Sequence, residues 1–216
     1  MFRTLAEQCS AKQGEAVPRE GGAREAGAQR TRQALLSAAA QVFVEQGVNA
    51  PIRAIAGRAQ VGLGTVYRHF PHRAELVVAV YRHQIDECAA LATELAGSAD
   101  PRSALSRWAE AFVEFLATKH GLGAALQSDD ASLHTLHSLM LEKLVPACEL
   151  LVDDAVARGR LDPGVNAYVL TRAIGNLCIL GPGYEREDAH AMVARLLAGC
   201  WLDATTDVVD GQRAPR

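Results

Sequence analysis

The chain contains no stretch of about 18 uncharged apolar residues, the length a helix needs to cross a bilayer. Its first residues also lack the apolar core of a secretory leader, so the expected location is the cytoplasm, with no membrane partner. Catalytic signatures are missing as well: there is no G-x-S-x-G, no H-E-x-x-H, no phosphate-binding loop and no dinucleotide fingerprint. With neither a nucleophile-and-base pair nor a metal constellation, nothing supports an enzyme and no cofactor is expected. Cys9, Cys88, Cys148, Cys178 and Cys200 are odd in number, far apart and without C-x-x-C spacing. That pattern fits reduced thiols buried as small hydrophobes and argues against a disulfide framework or a structural zinc site.

What the chain does have is 49% apolar residues, ample for a buried core, and a net charge of -3 that is unevenly spread over 216 residues. Residues 28–75 carry six arginines against Glu45 and Glu75, a balance of +4. Residues 76–216 carry 12 lysines and arginines against 19 acidic residues, a balance of -7. A basic segment beside an acidic remainder lets a chain of negative net charge bind a polyanion at one end.

Within the basic segment, residues 52–70, IRAIAGRAQVGLGTVYRHF, read as two short helices joined by a tight turn. Ile55, Ala56 and Ala59 give the first helix a small apolar face and Val61 fills the corner. Gly62 and Gly64 are expected to let the backbone turn sharply and pack closely. In the second helix, over about residues 63–69, Val66 and Phe70 sit four apart and bury the back, leaving Leu63, Thr65, Tyr67, Arg68 and His69 over the front and flanks. Hydroxyl, guanidinium and imidazole groups without a carboxylate suit the major groove of double-stranded DNA.

A long helix before this unit and the segment PHRAELVVAVY after it complete a wider pattern. It runs through Arg32, Leu35, Ala38, Ala39, Phe43 and Gly47, then Ile55, Ala56, Ala59 and Val61, then Gly64, Thr65, Tyr67, Phe70, Arg73, Leu76 and Val80. Over about residues 30–81 this resembles the N-terminal domain of the tetracycline-repressor (TetR/AcrR) family of bacterial transcription regulators. The resemblance implies an all-α protein with an N-terminal three-helix helix-turn-helix DNA-binding domain and a C-terminal helical domain for ligand binding and dimerisation. Two positions depart from the family pattern. Gly62 replaces a capping serine, a tolerable exchange, and Arg73 stands where lysine is commoner, keeping a charge directed at phosphate.

Carried onto this sequence, contacts to the operator are expected from Arg32, from Arg53 in the first turn of the second helix, and from Leu63, Thr65, Tyr67, Arg68, His69 and Arg73. Leu63 suits a thymine methyl group and Arg68 a guanine edge, while Arg53, Thr65, Tyr67, His69 and Arg73 suit phosphates. The expected organisation is a disordered tail over residues 1–28, the DNA-binding domain over 29–72, a regulatory and dimerisation domain over 73–205, and a second tail over 206–216.

Beyond the DNA-binding domain, helices are expected over about 73–96, from Asp100-Pro101 to the break at Gly121 and Gly123, over 132–158 with a kink or division near Pro146, and over 166–180 and 187–204. The middle helices gather Trp108, Phe112, Phe115, His120, His134, His137 and Met140, an aromatic and soft wall with a few polar handles, suited to a mainly apolar small-molecule effector. Plain core packing gives the same spacing. His134-x-x-His137 follows Asp129 and Asp130, but without a third committed ligand no metal is assigned. The last two helices set Leu170, Ile174, Leu177, Met192, Leu196 and Gly199 on faces richer in apolar and small residues than one subunit core requires. The resemblance implies that these helices pair with their symmetry copies as a four-helix bundle.

The sequence therefore leads to a homodimeric, ligand-responsive regulator, a repressor more than an activator, that binds a palindromic operator and is released by its effector. A constitutive DNA-binding regulator with a closed core, and an all-helical enzyme with a vestigial DNA-binding domain, are the alternatives.

Overall fold

The computed structural model describes residues 20–117 and 130–202. Among the described residues are eight α-helices and, in place of strands, two isolated bridges. In chain order they are α1 (Glu20–Gln46), α2 (Ile52–Arg58), α3 (Leu63–His69), α4 (Arg73–Leu95), α5 (Pro101–Ala117), α6 (Asp130–Ala157), α7 (Ala167–Leu177) and α8 (Arg186–Ala198). The tails at residues 1–19 and 203–216, and the glycine break at Gly121 and Gly123, lie outside the described residues.

α1 begins at Glu20 and so takes in residues 20–28, which the sequence assigned to a disordered tail. Ala23, Arg24, Glu25, Ala26 and Gln29 are strong helix formers and outweigh the glycines near its start. The helix stops at Gly47, whose φ of 77° lets its N–H reach back to the Phe43 carbonyl at 2.9 Å. Its apolar stripe of Leu35, Ala39, Val42 and Phe43 is buried over α2 and α4.

The turn between α2 and α3 differs from the expectation in its mechanism. Gly62 sits at φ -73°, an ordinary value, and a Cβ added at Gly62 or Gly64 would meet nothing within 4 Å. The residue that reverses the chain is Gln60, at φ 56°. Its N–H bonds the Gly57 carbonyl at 3.2 Å and the Val61 N–H bonds that of Ala56 at 3.0 Å, the paired bonds of a Schellman cap with glutamine where glycine is usual.

α4 is the spine, packing against α1, α5 and α6. Leu76, Val77, Val80 and Tyr81 in its first half and Ile85, Cys88, Ala92 and Leu95 in its second are all buried. They belong to one hydrophobic cluster that runs from Leu35 to Leu197, so the helix-turn-helix unit and the helices after it share a continuous core. α5 starts where Asp100 accepts the Arg102 N–H at 3.1 Å, with Pro101 as its first residue.

α6 runs through Pro146 as a single helix, so no division occurs there. Pro146 lies on the exposed side, where water can satisfy the carbonyl that the missing N–H leaves free. Asn166 caps α7 by accepting the Val169 N–H at 3.0 Å, and Glu185 with Asp188 forms a capping box at the start of α8. Both helices end earlier than their apolar pattern suggests, α7 at Leu177 and α8 at Ala198. After α8 the chain turns back to the α6–α7 connection, where Asp162 N–H bonds the Cys200 carbonyl and Leu202 N–H that of Arg160, each at 3.0 Å.

Candidate nucleic-acid interface and regulatory surfaces

α3 is held by its back and free at its front. Val66 and Phe70 are 1% and 4% exposed, whereas Leu63 and Tyr67 are 47% and 54% exposed. Arg68 is exposed beside them, and Thr65 and His69 are half-buried on the flanks. Two large apolar side chains left in water on a seven-residue helix are costly unless something covers them, and neither α2 nor α3 holds an acidic residue. Arg53 is exposed in the first turn of α2.

The arginines that the sequence counts as one basic patch divide into two groups. Arg30, Arg53 and Arg68 are exposed, Arg30 donating to the Ala26 carbonyl of its own helix at 3.3 Å. Arg32 lies with its guanidinium 4.6 Å from the centroid of the Phe70 ring, joining α1 to the end of α3. Arg73 donates to the Ala50 carbonyl at 2.8 Å and to that of Val48, so it pins the α1–α2 connection. Arg58 forms a bidentate pair with Glu45 at 2.7 and 2.6 Å and reaches the Gln41 Oε1 at 3.3 Å. Their charges still raise the local potential, but their donors are engaged in holding the helix-turn-helix unit together.

Of the proposed effector contacts, Trp108 and Phe112 are fully buried, and Phe115 and Met140 are 4% and 6% exposed. His137 is half-buried on α6. His120 lies outside the described residues, and described side chains of α6 begin at Thr135, which leaves His134 outside as well. The aromatic rings form a ladder. Trp108 and Phe112 have centroids 5.4 Å apart, Phe112 and Phe115 6.3 Å, and Tyr81 of α4 meets Phe115 edge-on at 5.9 Å. Tyr81 was missed at the sequence level; its place about two turns after Arg73 on the apolar stripe of α4 was the available signal. The Trp108 indole N–H donates to the Cys88 carbonyl at 3.1 Å.

The thiols are buried in this same core. Burial pushes Cys88 up to about 12, with Cys148 nearby adding to the rise. Burial likewise raises Cys148 to about 11, against the opposing pull of a hydrogen bond with Thr171. Both are free cysteines whose thiolate is disfavoured, which matches their expected role as inert hydrophobes.

The six residues expected at a dimer interface do not share one face. Leu170 and Ile174 are 4% and 0% exposed and pack into the core of this chain. Leu177 and Leu196 are half-buried, Gly199 is exposed, and Met192 is 40% exposed. The apolar side chains that α7 and its following loop leave in water are instead Tyr168, Val169 and Ile179, at 50%, 62% and 72%. The adjacent pair Tyr168-Val169 carried the signal, since the stripe at Ala167, Leu170, Thr171 and Ile174 already accounts for the buried side.

Residues 35–80, from the middle of α1 to the first half of α4, match the family described as bacterial regulatory proteins, tetR family. The HTH-type transcriptional activator FasR of Mycolicibacterium smegmatis is 29% identical over 136 residues, which is 62% of this chain and 61% of that protein, so the match leaves more than a third of that relative uncovered. The solved TetR transcriptional regulator from Streptomyces coelicolor is similar with a TM-score of 0.68 at 27% identity, over 80% of this chain and 99% of that one. A TetR transcription regulatory protein from Mycobacterium vanbaalenii is similar with a TM-score of 0.60 at 27% identity, over 83% of this chain and 99% of that one.

Proposed function

We propose that this chain, which belongs to the TetR family of DNA-binding transcription regulators, reads a near-palindromic operator as a homodimer and acts as a repressor released by a small, mainly apolar effector. The observation that carries the reading is α3, anchored by Val66 and Phe70 and presenting an exposed front with no carboxylate. In the proposed complex Leu63 meets a thymine methyl group and Arg68 a guanine edge, while Arg53, Thr65, Tyr67 and His69 contact phosphates. Half-sites then lie about one helical turn apart, ~34–36 Å, or a multiple of it.

Residues 29–72 serve as the reading head and 73–205 as the regulatory body. The dimer axis is proposed at α7 and α8, where Val169, Ile179 and Met192 are exposed. The effector is proposed against the aromatic ladder between α4, α5 and α6, coupled to the operator through α4, which packs on both the head and the body. A coupling of about 1–3 kcal/mol, roughly 5- to 150-fold in operator affinity, is the scale expected.

Sequencing the DNA bound by the purified protein, then measuring affinity for the leading site against salt, tests the reading. An inverted repeat and a steep salt slope are expected; binding indifferent to sequence and salt would overturn it. The satisfied indole of Trp108 and the mutual packing of the ladder favour a second reading, a constitutive regulator with a closed core. Apolar molecules that raise the melting temperature and weaken the operator complex would decide for the effector. The relative named a transcriptional activator bears on the sign of regulation, which a promoter–reporter fusion with and without the protein determines.

A further inference from the structure

We propose that the cleft between α1, α4 and α5 is a separate small-molecule site, open to solvent, for an organic cation with an apolar body. The cleft encloses about 640 Å³, within the range of roughly 300–1,000 Å³ that small-molecule sites occupy. Three helices each give it one face. α4 contributes Gln84, Glu87, Leu91 and Glu94, spaced three or four residues apart as one side of a helix must be, with Cys88 next to Glu87. α1 contributes Val44, which is 38% exposed, and α5 contributes Phe115 and Glu114.

The floor and the rim have different chemistry. Val44, Leu91, Cys88 and Phe115 make an apolar floor, and Glu87, Glu94 and Glu114 stand on the rim with Gln41 and Gln84; among the described residues no lysine, arginine or histidine lines the cleft. The three carboxylates are not equally engaged. Glu114 is held by His190 at 2.8 Å and Arg186 at 3.3 Å, both from α8. Among the described residues the ion-pair partner of Glu87 is His83, at 3.2 Å, which is charged only when protonated. Glu94 has no ion pair among the described residues. An apolar body laid over Val44 and Leu91 would cover exposed hydrocarbon, and a cationic group on it would sit between Glu87 and Glu94. An anion of the same shape would gain the first contact and lose the second to repulsion.

The site is distinct from the proposed effector position, since Trp108 and Phe112 point into the core and do not line the cleft, while Phe115 and Cys88, whose carbonyl accepts the Trp108 indole N–H, lie between the two. It also sits between α1 and α5, which both pack against α4. It stands or falls independently of the operator reading.

Tetraphenylphosphonium and tetraphenylborate, matched in size and shape and opposite in charge, are titrated calorimetrically into the full-length chain. The cation is expected to bind, more weakly as salt rises, and the borate to bind far less. Glu87→Gln and Glu94→Gln should each lower affinity for the cation about 1.5- to 5-fold, the range for exposed charge pairs. Ala111→Trp, which fills the cleft from α5, should abolish that binding. The glutamine variants alter only exposed side chains, so they remain decisive if the tryptophan variant fails to fold. Equal binding of the two ions, or an affinity for the cation untouched by the double glutamine variant, would overturn the site.

Discussion

The guanidinium of Arg32 on α1 lies over the ring of Phe70 at the end of α3, 4.6 Å from its centroid. A side chain that family resemblance assigns to DNA is thus also a clamp between the first helix and the recognition unit. Such a contact contributes about 0.5–1 kcal/mol. Arg73 belongs to the same class, its donors engaged by the Val48 and Ala50 carbonyls.

Arg32→Ala should lower stability by about 0.5–1 kcal/mol, and Arg73→Met by about 1–2 kcal/mol as two carbonyls lose their donor. Arg53→Ala and Arg68→Ala should leave stability within about 0.5 kcal/mol. They should act on DNA instead, Arg53→Ala by reducing the salt slope by about one and Arg68→Ala by relaxing preference at a single base pair. Urea unfolding alongside operator titrations separates the two groups. Loss of DNA affinity without loss of stability in Arg73→Met would restore it to the phosphate-contacting set.

Gln60 holds the left-handed position of the cap between α2 and α3, at φ 56°. Replacing it with glycine should raise stability by about 0.5–1 kcal/mol, the relief of backbone strain less the added freedom of the unfolded chain. Gln60→Val should lower stability, because a branched Cβ is least tolerated there. The order Gly above Gln above Val in thermal unfolding is the outcome to look for.

On α7, Val169 and Ile174 separate surface from core, at 62% and 0% exposed. Val169→Asp or Ile179→Asp should give a folded monomer by light scattering if α7 and α8 form the interface. Ile174→Asp should unfold the subunit itself, since it buries an unpaired charge. A dimer that survives Val169→Asp and Ile179→Asp together would move the interface elsewhere.

The buried thiols give stability an alkaline dependence. Cys88 and Cys148 ionise at about 12 and 11 when folded, against 9.0 for an exposed thiol. Between these limits the unfolded chain releases protons that the folded chain keeps, so their contribution is intact below about pH 9 and is lost as pH rises toward 11–12. Urea unfolding at pH 8 and pH 10 should show a drop that is smaller in Cys148→Ala measured against its own pH 8 value. Rapid alkylation of Cys88 in the native protein at pH 8 would contradict this burial.

Periodicity and turn chemistry determined, without coordinates, that the chain is all-helical, that Val66 and Phe70 are the buried back of α3, and that Gly47 ends α1. Each of these depends on residues within one or two turns of each other, where helical geometry fixes which side chains share a face. The same information placed Leu170 and Ile174 at an interface and Arg73 on DNA, and assigned the α2–α3 turn to Gly62 and Gly64 instead of Gln60. Only the tertiary structure could separate these cases. An apolar stripe records that a face is buried without recording by what, and a guanidinium serves a carbonyl, a ring or a phosphate with the same donors. The decision lies in what the fold brings against it: Phe70 against Arg32, the α1–α2 connection against Arg73, and the body of the subunit against Ile174 while Val169 is left in water.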